Sequence, residues 1–210
     1  MLPRPPADDR NQRTGRRALP ARSTGRWDSS SRLLALLIWA LAFPGLPGEA
    51  AAKVFYSRAE ALELAFPDAD RVEDETIVLG DEQAHRIESL SRSPLESRLV
   101  RVYTGYRDGE LLGYAFIDVH NVRTLPEAFL VVLSPEGEVA DLRLLAFHEP
   151  LDYMPAERWY AQFQRKSLEE PLRVDGDIHG IMGASLSTRA TAGGVRRALA
   201  MYKVVVQSAP

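Results

Sequence analysis

Two turn signals set between alternating apolar runs constrain this chain more than anything else in it. Leu99 to Tyr106 leads through Arg107-Asp108-Gly109 into Leu111 to Val119. Asp-Gly readily takes the positive-φ backbone of a tight reversal, so this stretch predicts a β-hairpin. Ala128 to Leu133, then Ser134-Pro135-Glu136-Gly137, then Val139 to Phe147 predict a second one. In the last of these strands Leu142, Leu144 and Ala146 fall on one side while Asp141 and Arg143 fall on the other. That period of two marks a half-buried antiparallel strand.

Helical signals flank the hairpins. Ser57-Arg58-Ala59-Glu60 has the form of a capping box, with Leu62, Ala65 and Phe66 following at helical spacing before Pro67 ends the helix. Pro155 suits a helix start, after which Trp159 and Phe163 share a face four residues apart. Thr191, Val195, Ala198, Leu199 and Tyr202 form the apolar stripe of a final helix. Gly193 and Gly194 inside it should each cost about 1 kcal/mol relative to Ala, which implies close packing on a sheet, a bend or a late helix start. Residues 67–98 are charged and poorly periodic and predict a mixed or extended connection, and 167–182 a loop. The sum is a single α+β domain: an antiparallel sheet of two hairpins with helices packed on its apolar face.

The residues before Lys53 differ in character. Residues 1–32 carry eight arginines among Pro, Ser and Thr and show no apolar period, a composition that does not fold alone. An apolar run from Leu33 to Phe43 follows, shorter than the about 20 residues a membrane span needs. Pro44, Gly45, Pro47 and Gly48 break it, and Ala50-Ala51-Ala52 offers small residues for cleavage. Together these predict a basic leader and signal peptide over 1–52, with an uncleaved membrane anchor as the alternative. The predicted mature domain, 53–210, keeps 18 basic and 25 acidic residues, a net charge of −7. An acidic exported domain is a poor nucleic-acid binder, so no nucleic-acid partner is expected. The absence of Cys excludes disulfides, a Cys-anchored lipid, thiolate metal sites and c-type haem attachment.

Chemistry concentrates at Met182-Gly183-Ala184-Ser185-Leu186-Ser187-Thr188, immediately before the final helix. A helix N-terminus presents free N–H groups and partial positive charge, which suits a phosphate. A Ser or Thr there can hold that phosphate by hydrogen bonds or carry it covalently, and Gly183 and Ala184 leave room beside the backbone. The plainer alternative is that Ser185, Ser187 or Thr188 is an N-cap. A second group, His148-Glu149-Pro150 with Tyr153 beyond, closes the last strand; its plainer reading is a turn with solvated charges. His85, His120, His148 and His179 lack helical ligand spacing and read as solvated or singly hydrogen-bonded side chains, with no metal site expected. Ser185 lacks the second Gly of a nucleophile elbow, so no catalytic residue is assigned.

Gly183-Ala184-Ser185-Leu186-Ser187 resembles the Ser/Thr-Gly-Ala-Thr/Ser-Leu-Thr/Ser motif of FMN-binding domains. These occur in the C subunit of Na+-translocating NADH:quinone reductase, the G subunit of the Rnf electron-transport complex and stand-alone periplasmic relatives. His148-Glu149-Pro150 and the Trp159…Gln162-Phe163 segment are similar to the family's flavin-side loop and the helix after it. In the family a flavin transferase joins FMN through its phosphate to the hydroxyl after Gly-Ala, which here is Ser185. The resemblance implies FMN as cofactor, with Gly183, Ala184, Leu186, Ser187 and Thr188 around the phosphate. Glu149 and Tyr153 would border the flavin ring, and Trp159 would help shield it. It further implies a periplasmic electron-transfer protein rather than a stand-alone enzyme, with the transferase and membrane redox proteins as partners. Two other expectations stay open on the residues alone: a non-covalent anion- or phosphate-binding accessory domain, and a purely structural partner domain. Ser187 and Thr188 also remain open as acceptors.

Overall fold

A computed structural model describes residues 53–208; the leader predicted over 1–52 lies outside the described residues. Six strands form one antiparallel sheet: β1 (Lys53–Val54), β2 (Arg71–Val78), β3 (Leu99–Arg107), β4 (Glu110–Asn121), β5 (Pro126–Leu133) and β6 (Val139–Phe147). Their spatial order is β1-β6-β5-β4-β3-β2. The two predicted hairpins are β3–β4 and β5–β6, turning at Asp108-Gly109 and at the 134–137 loop, where Asp108 (φ 52), Gly109 (φ 83) and Gly137 (φ 88) take left-handed backbone. Four helices accompany the sheet: α1 (Arg58–Ala65), α2 (Asp81–Ser91), a single turn α3 (Glu157–Tyr160) and α4 (Ser185–Met201), the last running on into a π turn over Tyr202–Val206.

β5 explains the arrangement. Its run Phe129 to Leu133 is apolar throughout because both faces of this central strand are covered. Phe129, Val131 and Leu133 face a large core closed by α2, α3 and α4. Leu130 and Val132 face a smaller core closed by α1 through Ala61 and Phe66. Full burial of a Phe such as Phe116, Phe129 or Phe163 is worth about 2–3 kcal/mol. The predicted stripe of α4 is buried in full, and Gly194 packs tightly on the sheet: a Cβ there would lie 2.7 Å from Asp118 Oδ2. Close packing, and neither a bend nor a late start, accounts for that glycine.

Three expectations need correction. Residues 67–98, expected as a mixed or extended connection, hold two regular elements, β2 and α2. β2 is an edge strand whose side chains are nearly all exposed, so it shows no apolar alternation. Helices and their cores occupy both faces of the sheet, not one. Ala146 does not share a face with Leu142 and Leu144. Leu144 pairs with Phe129 and Ala146 with Ala128, so Leu145 is an extra residue at a bulge and its side chain enters the α1 core.

Candidate functional site

The hydroxyl-rich segment forms the first turn of α4, and no hydroxyl caps it. The cap position is Ala184, which has no side-chain acceptor, while Ser185 is the first helical residue. The simple N-cap reading is therefore removed. Only at Thr188 does the ladder begin, its N–H donating to the Ala184 carbonyl at 3.0 Å. The N–H groups of Ser185, Leu186 and Ser187 meet no protein acceptor among the described residues. Gly183 turns the chain into the helix with φ +86, and nothing lies within 4 Å of where its Cβ would be. The backbone before Ser185 is thus open to a neighbouring molecule.

The three hydroxyls divide by burial. Ser185 is exposed. Ser187 is 1% exposed, and its Oγ has no hydrogen-bond partner. Thr188 is fully buried and donates to the Ser185 carbonyl at 3.1 Å, so its O–H is already used.

These residues open on a cavity of about 240 Å³ lined by Val122, Arg123, Glu149, Tyr153 and the turn Gly183–Ser187. Two segments far apart in sequence, the end of β6 and the start of α4, therefore meet at one place. Seven of the eight residues singled out in the sequence line it: Gly183, Ala184, Ser185, Leu186, Ser187, Glu149 and Tyr153. Thr188 does not, because it points into the core. Trp159 does not either. It is buried against Tyr160 and Phe163, and its indole N–H donates to the His179 carbonyl at 2.7 Å.

Glu149 has a structural task at the cavity wall. Its Oε1 accepts from the main-chain N–H groups of Arg123, Thr124 and Leu125 at 3.2, 2.8 and 2.9 Å. Those bonds, Thr124 and Leu125 foremost, hold its carboxyl below the usual carboxylate range. The carboxylate thereby fixes the β4–β5 loop and brings Arg123 to the cavity. Arg123 and Val122 were not found from sequence. A lone Arg in a turn carries no signal until the loop is seen against α4. Two of the lining residues, Tyr153 and Leu186, are large apolar side chains left exposed, as are Leu151 and Met182 close to them in sequence.

Beneath α4 lies an ionic cluster that the sequence reading missed. Both ring nitrogens of His120 meet carboxylates, Nδ1 to Asp118 Oδ2 at 2.5 Å and Nε2 to Glu127 Oε1 at 2.7 Å. Arg197 donates to both oxygens of Asp118 at 2.7 and 2.8 Å. His120 is thus neither solvated nor singly bonded. Burial opposes its charge, but the hydrogen bonds and charges of Asp118 and Glu127 prevail and hold its pKa up at about 9. Burial likewise opposes the Asp118 charge, yet His120 and Arg197 bring its pKa down to about 2. Burial pushes Glu127 up. Two cations and two carboxylates balance within the cluster.

No protein-family model matches the chain, and no curated protein matches it. Function must therefore be argued from the cavity. Its chemistry is that of anion capture beside an exposed hydroxyl: three N–H groups without a protein acceptor, one buried unpartnered hydroxyl and one arginine. No histidine lines it, and its one carboxylate is occupied with the loop. Ser185 has no built-in base of the kind a hydrolytic nucleophile requires.

Proposed function

We propose that this chain is an exported flavoprotein that holds FMN through a phosphoester on Ser185 and serves in electron transfer near the membrane. The observation that carries the reading is the convergence, in one cavity, of the exposed Ser185 hydroxyl, the open first turn of α4 and the buried Ser187 Oγ that lacks a partner. The fit is good at the phosphate end. The N–H groups of Ser185, Leu186 and Ser187, the Ser187 hydroxyl and Arg123 can share the phosphate charge. A cavity of about 240 Å³ is smaller than the roughly 300–1,000 Å³ typical of pockets that enclose a whole ligand. It would suit the phosphate and ribityl chain, and the exposed Tyr153 and Leu186 would border the ring.

Bound FMN supplies one- and two-electron chemistry, and the protein supplies retention and orientation. Attachment from a flavin dinucleotide forms a bond from Ser185 Oγ to phosphorus, breaks the phosphoanhydride and releases AMP. The Ser185 proton leaves to a base outside this domain, in keeping with a transferase partner. Retention is the benefit outside the cytoplasm, where a dissociated flavin would be lost by dilution. Export itself rests on the leader signals of residues 1–52.

A second reading has its own support. The same open N–H groups, Ser187 and Arg123 would hold a phosphate ligand with no covalent bond, as in an accessory or sensor domain. An absorption spectrum decides, taken on protein expressed with export and a flavin transferase and then unfolded. Colour that stays with the unfolded chain supports the phosphoester, and colour that separates from it supports the second reading. A colourless protein contradicts both as stated for FMN. Ser185→Ala should abolish the retained colour; if colour persists, Ser187 or Thr188 is the acceptor and the Ser185 assignment is wrong.

A further inference from the structure

A second cavity, of about 400 Å³, lies between the end of α2, the 171–174 segment and the middle of α4, and shares no lining residue with the one at Ser185. Four arginines line it: Arg92, Arg173, Arg189 and Arg196. These four arginines share one cavity in a domain whose net charge over 53–210 is −7.

Arg196 is the centre of the case. It is 9% exposed and forms no ion pair among the described residues. It is held instead by the main-chain carbonyls of Leu90, Glu170 and Pro171, through Nε and Nη1, which leaves Nη2 without a protein acceptor among those residues. Burial, and after it the charge of Arg92, makes its protonated form harder to keep. A buried cation facing like charge and lacking a carboxylate is costly. The charge of Asp177 offsets this only in part, ranking below burial and the charge of Arg92. Asp177 is engaged with Lys166 and the N–H groups of Leu172 and Arg173, and Asp175 stands 4.0 Å from Arg189 at the surface.

The backbone also keeps the space open. Gly193 lines the cavity from α4, and nothing lies within 4 Å of where its Cβ would be. Arg92 and Leu172, at the rim, hold φ of 59 and 48, conformations disfavoured for such residues. In α4 the residues Arg189, Ala192, Gly193 and Arg196 follow at spacings of three and four, so one helical face carries two guanidiniums on either side of the glycine.

We propose that this cavity is an anion site for a small ligand bearing a multiply charged phosphate group, of the size and charge of pyrophosphate. Guanidiniums recognise phosphate oxygens in bidentate pairs, and several of them converging on one cavity select for more than one negative charge. The site does not depend on the flavin reading.

The test is calorimetric titration of the full chain with inorganic pyrophosphate in low-salt buffer without divalent metal. The expected result is saturable 1:1 binding with a dissociation constant below about 1 mM. Arg92→Gly suits the left-handed backbone at that position and removes one cation, so the fold is kept. Combined with Arg173→Gln it should weaken binding by at least about tenfold. Arg189→Gln serves as an independent variant with the same expected direction. Arg123→Gln, which removes the guanidinium of the Ser185 cavity, should leave this binding unchanged, which separates the two cavities. No saturation, unchanged affinity in the Arg92/Arg173 or Arg189 variants, or loss of binding in Arg123→Gln would each overturn the proposal. Citrate binding as tightly as pyrophosphate would overturn the phosphate assignment.

Discussion

His120 is the residue on which the interior of this domain is most exposed to pH. Its folded pKa of about 9 lies above the ordinary value of 6.5. Its contribution is therefore complete below about pH 6.5 and is lost as pH rises through about 9. Asp118, lowered to about 2 from 3.8, contributes above about pH 3.8 and loses that contribution as pH falls through about 2. Glu127, raised by burial, adds to the decline on the alkaline side of its unfolded value. Denaturant unfolding followed against pH should place the stability maximum on the acid side of neutrality. It should fall by up to about 3 kcal/mol between pH 6.5 and 9. A flat profile across that window would contradict a charged His120. His120→Ala leaves two carboxylates without their shared partner and should cost about 3–5 kcal/mol, measured by the same unfolding. None of this was legible in the sequence. Asp118 and His120 are two apart and share a strand face, but Glu127 joins them only through the β4–β5 register. A cross-strand partner stays invisible until that register is known.

At the scale of elements, the glycine pair of α4 offers a contrast. A Cβ at Gly194 would strike Asp118 Oδ2 at 2.7 Å and approach His120 Cε1 at 3.1 Å, whereas one at Gly193 meets open space. Gly193→Ala should stabilise the protein by about 0.5–1 kcal/mol through helix propensity. Gly194→Ala should destabilise it by about 1–3 kcal/mol, since the gain is outweighed by overpacking on the ionic cluster. Thermal melts of the two variants should move in opposite directions. At α1 the capping box is formed both ways, Glu60 N–H to Ser57 Oγ at 3.3 Å and Ser57 N–H to Glu60 Oε2 at 2.7 Å. Ser57→Ala should lower stability by about 1 kcal/mol in an unfolding titration. That cap, both hairpins and the buried face of α4 could be read in advance, because each rests on local chemistry: a turn dipeptide, a hydroxyl three residues before a Glu, an apolar period. β2 could not, since Arg71-Val72-Glu73-Asp74-Glu75-Thr76 spends its side chains on keeping an edge polar. The bulge at Leu145 could not either, because one inserted residue shifts the faces of those after it without changing their composition.

For the whole molecule, the fold serves as a device that brings the end of β6 against the start of α4. Glu149 fixes the β4–β5 loop at one wall, and Gly183 to Ser187 form the other. The residues that line this cavity were legible because hydroxyls, small residues and a helix start stand together in the sequence. Arg123 was hidden because the β4–β5 loop contributes it, far in sequence from the Gly183–Ser187 turn. Glu149→Ala should release the loop and loosen whatever phosphate the cavity holds, with faster hydrogen exchange at the amides of Arg123, Thr124 and Leu125 as the readout. The central claim concerns a single bond on Ser185, and intact mass spectrometry tests it most directly. Protein exported from a host that contains a flavin transferase should carry one added mass equal to FMN less water. Fragmentation should place that mass on the peptide containing Ser185, and Ser185→Ala should remove it. A bare polypeptide mass from such a host would contradict the account.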